Sequence, residues 1–434
     1  MAAESFESLL KEAQSIKETN PGRAERIYQK ILEESSKDQK AGPSNGNEQR
    51  LRDQEVALVK LGELYRDTKN AQGLAQVLLS SRSFMTSTAK AKTAKLIRTL
   101  LDFFNPIPDS KEIQTKVLQD NIEWARSEKR IFLKHSLEIR LVGLLLEAKR
   151  NGPAIQLIDT LLTELKRLDD KLVLTEVHLL ESKVYRNIEN LPKSKAALTS
   201  ARTAANAIYC PPYLQAQLDL QSGILHADDK DYKTAYSYFY ETFENLSAQS
   251  EEGEGGNALV PLKYMLLCKI MLNLPDDVTA LLSLKLALKY SQLRDVECMR
   301  SIARAHKGRN LADFEKALRE YHKELSSDST IRTHLAALYD TLLEQNLLRI
   351  IEPYSVVEVE YVAQQVGQGR QSVEAKLSQM ILDKVFHGVL DQGRGCLLVF
   401  EEAEADGAYD ASIQTLQQVG KVVESLYEKA TKVA

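Results

Sequence analysis

Four cysteines, one tryptophan and 11 prolines are spread over 434 residues, and aromatic residues make up only 6% of the chain. Cys210, Cys268, Cys298 and Cys396 form no Cys-x-x-Cys pair, which argues against a zinc ribbon or a dithiol redox motif. Each reads as a small buried hydrophobe. No apolar run approaches the ~20 residues of a membrane helix. The N-terminus, starting Met1-Ala2-Ala3-Glu4, has neither a basic start nor an apolar stretch, so no signal peptide is expected and the protein reads as intracellular and soluble. Excess charge is also missing. Lys plus Arg is 57 and Asp plus Glu is 61, a net charge of -4, which argues against a general binder of nucleic acid or acidic membranes.

Catalytic patterns are missing too. The seven histidines show no metal-ligand spacing, and His135 and His178 read as hydrogen-bonded helix residues. There is no Gly-x-Ser-x-Gly and no phosphate-binding loop. Gly367-Gln368-Gly369 lacks the strand and third glycine of a dinucleotide site. Asp169-Asp170 and Asp228-Asp229 are paired carboxylates, but they sit where helices end and read as turn formers. No catalytic, cofactor or metal residues are expected, and the chain is not read as an enzyme.

What the chain has is helical periodicity. Residues 1–325 show apolar spacings of three and four with no strand signal, and a period near 40 recurs. Leu145, Tyr185 and Leu225 end first helices. Asn151, Leu191 and Tyr232 open the next, and small residues Ala154, Ser194 and Ala235 follow three positions on. A small side chain there lets antiparallel helices approach closely. Pro21-Gly22-Arg23-Ala24 fits the same role. These features resemble tetratricopeptide hairpins, which bury their apolar faces by stacking into a solenoid. Residues 35–49 and 247–257 read as flexible loops, the second acidic. Later helices are expected at 262–272, 278–288, 293–305 and 311–322.

A different pattern begins near residue 326. A helix is expected over 331–345, with Leu335, Leu338, Leu342 and Leu343 on one face. A short strand at 348–352 is closed by Pro353, and Ser355 caps a helix over 356–366. Ser372 caps a third helix over 372–386, stopped by Gly388. Val389-Leu390 and Cys396, Leu397, Leu398, Val399 and Phe400 flank a Gly-rich turn as a hairpin. This order is a winged helix, spanning 326–403. Its third helix is neutral, with Lys376 and Lys384 against Glu374 and Asp383. Only Gln371 and Gln379 could read bases, and only Arg394 sits in the wing. Protein docking is therefore favoured over DNA reading. A last helix over 408–434 carries Leu416, Val419, Val423 and Leu426 at alternating spacings of three and four, a coiled-coil-like seam suited to assembly.

One basic strip stands out. Lys90, Lys92, Lys95 and Arg98 share one expected helix, with no acidic residue until Asp102. Arg126, Lys129, Arg130 and Lys134 extend it. The strip is a candidate docking face for an acidic partner surface.

Helical repeats leading into a winged helix and a terminal bundle helix resemble the PCI family, whose members serve the proteasome lid, the signalosome and a translation initiation factor. Segments 128–137, 168–171, 178–185, 201–206, 222–226, 229–236, 343–347, 376–384 and 388–393 carry the resemblance, which is to the proteasome-lid members. It implies a mainly α fold of tetratricopeptide-like solenoid, winged-helix (PCI) domain and C-terminal bundle helix, and a non-catalytic cytoplasmic and nuclear scaffold. The implied partners are other PCI lid subunits through the winged-helix edge, placed on Cys396–Phe400, and the lid helical bundle through Leu416, Val419, Val423 and Leu426. A core-particle α subunit and a proteasomal ATPase are implied for the N-terminal solenoid. No cofactor, nucleic acid or membrane is implied. Alternatives are a signalosome or initiation-factor subunit, or a winged-helix nucleic-acid binder.

Overall fold

A computed structural model describes residues 13–16, 20–38, 47–87, 90–108, 110–249, 258–308, 310–326, 328–400 and 407–433. The fold is mainly α, with tetratricopeptide-like helical hairpins followed by a winged helix. The chain divides into two compact units, residues 1–225 and 226–434.

The first unit contains α1 (Pro21–Asp38), α2 (Asn47–Asp67), α3 (Ala71–Ser87), α4 (Lys90–Asp102), α5 (Lys111–Ser127), α6 (Ile131–Glu147), α7 (Asn151–Leu168), α8 (Lys171–Asn187) and α9 (Leu191–Asn206). α10 (Pro212–Asp228) runs up to the boundary between the units and past it. Helices open at Asn151 and Leu191, as the 40-residue period requires, and Ala24, Ala154 and Ser194 are fully buried. At the α8–α9 crossing, Ser194 donates to the Ser182 carbonyl at 2.7 Å, and the two hydroxyls lie 3.0 Å apart. Two hydroxyls replace a larger apolar pair here, so the backbones approach closely without orphaning a polar atom.

The turns share one construction. Lys69, Lys129, Lys149, Asp169 and Glu189 all take left-handed φ between 52° and 65°. In four of these turns the next residue donates its amide to the carbonyl five positions back: Asn70 to Tyr65, Arg130 to Ala125, Arg150 to Leu145 and Asn190 to Tyr185, at 2.9–3.0 Å. This closes the helix end as a Schellman-type cap. Where the following residue is Asn or Asp, it also caps the next helix: Asn70 accepts from Gly73 N–H, Asp170 from Val173 and Asn190 from Lys193. One residue ends a helix and its neighbour starts the next.

The second unit continues with α11 (Tyr232–Gln249), α12 (Leu259–Met271), α13 (Pro275–Leu282), α14 (Arg294–Lys307), α15 (Leu311–Glu320), α16 (His322–Ser326) and α17 (Ser329–Ile351). Tyr232 again opens a helix and Ala235 is fully buried. Lys230 repeats the left-handed turn, and Asp231 N–H reaches the His226 carbonyl at 3.0 Å. Asp328 joins two helices. One oxygen caps α17 through Thr330 N–H at 3.0 Å, and the other accepts from the Tyr264 hydroxyl of α12 at 2.6 Å. The rest is β1 (Val356–Glu358), α18 (Val359–Val366), α19 (Arg370–Leu382), β2 (His387–Asp391), β3 (Cys396–Phe400) and α20 (Gly407–Val433).

Several expected boundaries are corrected. Residues 348–351 are helix, because α17 runs on until Ile351. The strand lies after Pro353, at β1, and takes residues expected to start the second helix. α19 begins at Arg370 with Gly369 as N-cap, not at Ser372. It stops at Leu382, where Lys384 at φ 57° closes it and Val385 N–H reaches the Met380 carbonyl. Gly388 therefore lies in a strand. It is small because an added Cβ would sit 2.6 Å from the Leu398 carbonyl oxygen. α13 stops at Leu282, short of the expected 288. Residues 35–38, 47–49 and 247–249, expected in loops, are helical; the rest of both loops lies outside the described residues.

The sheet brings the main correction. Its strand order is β1-β3-β2, both pairs antiparallel. Cys396–Phe400 is the central strand. Leu398 faces Val356 on one side and Val389 on the other, so its main chain is already paired twice. The reading of this strand as the free edge fails because the segment before α18 adds a strand on the far side. Among the described residues, the five-residue edge is β2.

Candidate interaction sites

α20 is the plainest candidate. Along its 27 residues, Leu416 is 70% exposed and Leu426 60%, and Val419 and Val423 are exposed as well. Burying one such side chain is worth about 1.5–3 kcal/mol, so this seam is a large unused driving force for association.

The winged helix has an edge and a hollow. His387 and Val389 are exposed along β2. Beside them, Arg349, Tyr354, Phe386, His387 and Phe400 help line a cavity of about 850 Å³. Leu397 is fully buried in the winged-helix core, while Cys396, Leu398 and Val399 are half-buried and Phe400 is exposed. The α19 surface is electrostatically quenched. Arg370 pairs with Glu374 at 2.7 Å and Lys376 with Glu344 at 2.8 Å. Val373, Leu377 and Met380 point into the core as the apolar spacing required.

The basic strip falls on α4 and the helices after it. Lys92, Lys95 and Arg98 are exposed on α4, which Lys90 opens. Arg98 acts on Glu176, whose carboxyl is pushed up mainly by burial, then by Asp170, with Arg98 pulling it down. The proposed extension is less uniform. Arg130 is buried with its guanidinium over the Trp124 ring, 5.0 Å from the centroid. Lys134 lies 2.8 Å from Glu164 and 3.6 Å from Glu138.

That last cluster is a charge network that sequence spacing did not show, because its members come from two helices. His135, Glu138 and Glu164 bring ligand-type atoms within 4.8 Å of one another. Lys134 already supplies a cation to both carboxylates. Its hydrogen bond and that of His135 hold the Glu164 carboxyl below its ordinary range, while burial pushes Glu138 up. His178 pairs with Glu181 at 2.8 Å. Burial raises the Cys268 and Cys298 thiols to about 12, so both stay protonated and unreactive near neutrality. None of the helices described is long and apolar enough to cross a membrane.

Residues 6–148 match the family described as 26S proteasome regulatory subunit RPN6 N-terminal domain. Residues 318–401 match the PCI domain, and residues 405–431 match the 26S proteasome subunit RPN6 C-terminal helix domain. The probable 26S proteasome regulatory subunit rpn6 of Schizosaccharomyces pombe is 50% identical over 415 residues, covering 95% of this chain and 96% of the relative. RPN6 of Saccharomyces cerevisiae is 46% identical over 426 residues, 98% of each chain. The 26S proteasome non-ATPase regulatory subunit 11 homolog of Arabidopsis thaliana is 46% identical over 416 residues, 96% of each.

Proposed function

Because the chain belongs to the RPN6 family of 26S proteasome regulatory subunits, we propose that it is a non-catalytic scaffold of the regulatory-particle lid. In that role it stabilises the association of lid, ATPase ring and core particle during ubiquitin-dependent protein degradation, in cytoplasm and nucleus. The observation that carries the reading is identity of 46–50% along nearly the whole chain with proteins so named. The exposed apolar seam of α20 supports it, since such a helix is stabilised by joining others.

Three regions divide the work: the solenoid at 1–325, the winged helix at 326–403 and the terminal helix at 408–434. The β2 edge pairs with a neighbouring PCI subunit through main-chain hydrogen bonds. Leu416, Val419, Val423 and Leu426 enter the helical bundle of the lid. Lys90, Lys92, Lys95 and Arg98 face a core-particle α subunit or an ATPase, where charge sets register and speeds encounter. Two weak contacts on one scaffold raise the effective concentration of each. That is how a protein without catalytic groups stabilises a large assembly.

The test is low-salt affinity purification of the tagged chain from its own cells, with co-purifying proteins identified by mass spectrometry. Lid subunits, ATPases and core-particle α subunits are expected in comparable amounts. Recovery of signalosome or initiation-factor subunits instead overturns the assignment.

A further inference from the structure

We propose that the groove where α5 passes into α6, walled by the end of α7, binds an acidic peptide segment carrying a bulky apolar side chain. The groove encloses about 390 Å³ and has an apolar lining of Ala125, Ile131 and Leu168, a size within the range of ligand pockets. Ile131 is 50% exposed and Leu168 46%. Phe132, next to Ile131 in the same turn, is 75% exposed. Clustered aromatic and aliphatic side chains left in water mark contact surfaces more often than solvated faces.

The charge around this lining is mostly positive. Arg126, Lys129, Arg130, Lys134 and Arg167 line the groove, and Glu164 is the one acid among its lining residues. Glu164 is held by Lys134 and His135, so it cancels Lys134 and little else. Arg126, Lys129 and Arg167 are exposed around the apolar floor. Lys129 is fixed there by its left-handed turn at φ 53°. A nucleic acid would need a broad basic track with stacking faces. A compact apolar floor ringed by three cations is complementary to carboxylates on either side of one leucine or phenylalanine. The site goes beyond the scaffold reading, which assigns no ligand to this groove.

The test uses the full-length chain and a fluorescein-labelled peptide, Gly-Asp-Glu-Leu-Phe-Asp-Glu-Gly, followed by fluorescence anisotropy in low salt. Saturable binding is expected, weakened about tenfold or more by the double variant Arg126→Glu/Arg167→Glu. Binding should also fall in Ile131→Ser, which removes apolar floor from the groove, and at raised salt. Both variants change exposed side chains, and unchanged circular dichroism checks that they fold. Equal affinity for a peptide with Asn and Gln in place of its acids overturns the proposal. So does an unaltered affinity in the double variant, absence of saturable binding, or tighter binding of a single-stranded oligonucleotide to the same groove. Absence of peptide binding by the unaltered chain, with normal entry into the lid, removes the groove alone. Peptide binding without entry removes the scaffold reading alone.

Discussion

Tyr65 joins α1, α2 and α3: its hydroxyl donates to Glu25 at 2.5 Å, and its ring presses on Gly73, where an added Cβ would lie 2.7 Å from Cε1. Burial first, and the Glu25 carboxylate second, raise the phenol from 10.0 to about 12. A raised pKa in the folded state means stability that is complete below the unfolded value and lost as pH rises through the folded one. Tyr65→Phe should therefore cost about 1 kcal/mol near neutrality. In urea denaturation the gap between wild type and variant should be constant up to pH 10 and close toward pH 12.

The Lys134–Glu164 pair sets the opposite dependence. Glu164 is held below its ordinary pKa, so its contribution is complete above the unfolded value and lost as pH falls through the folded one. Glu164→Gln should lower the melting temperature at pH 7, and the difference should shrink as the medium is acidified below the ordinary carboxyl value of 4.5. Lys134→Met should cost about 2–3 kcal/mol, because it leaves the 10%-exposed Glu138 side chain without its cation. A difference that grows on acidification would contradict this account.

Ser194 tests the close helix approach. It is fully buried and hydrogen-bonded to Ser182 on the facing helix. Ser194→Leu should destabilise by about 1–3 kcal/mol through overpacking, read as a lower melting temperature. Ser194→Ala keeps the volume and loses the hydrogen bond, so its cost should be smaller.

Gly388 tests the wing. Any Cβ there meets the Leu398 carbonyl oxygen at 2.6 Å, and that atom is backbone. Gly388→Val should separate β2 from β3 and cost about 2 kcal/mol or more locally. Hydrogen exchange of β2 and β3 amides should speed up, while protection in α1 to α9 stays unchanged.

Removal of residues 408–434 should leave a folded protein, because the described apolar seam of α20 is exposed rather than buried in this chain. Circular dichroism and melting should match the parent after allowing for the lost helix, and co-purification with lid subunits should fail. Normal entry of the truncated chain would exclude α20 as an assembly element.

The sequence showed most of what depends on period. Asn151, Leu191 and Tyr232 open helices where the 40-residue repeat put them, and Val373, Leu377 and Met380 are buried on one face of α19. It misled where local signals compete. Residues 348–352 look like a strand because they are apolar, yet they extend α17. Gly388 looks like a helix stop, yet Lys384 stops the helix in a conformation that Lys seldom adopts. The strand order was out of reach, because Val356–Glu358 pairs with residues about 40 positions later. The groove around Ile131 and Leu168 was also hidden, since three helices contribute its walls.

Left-handed turns at Lys129, Lys149, Asp169 and Glu189 recur every twenty residues along the chain. Each joint is a self-contained module, closed by one residue and, where Asn or Asp follows, reopened by its neighbour. Length in such a structure is counted in whole hairpins. A gain or loss of about forty residues, one hairpin, preserves both flanking joints, whereas a gain of five puts a helix end out of phase with its partner. The reach of the first unit is thus quantised, and a lineage lengthening or shortening it has few intermediate sizes to choose from.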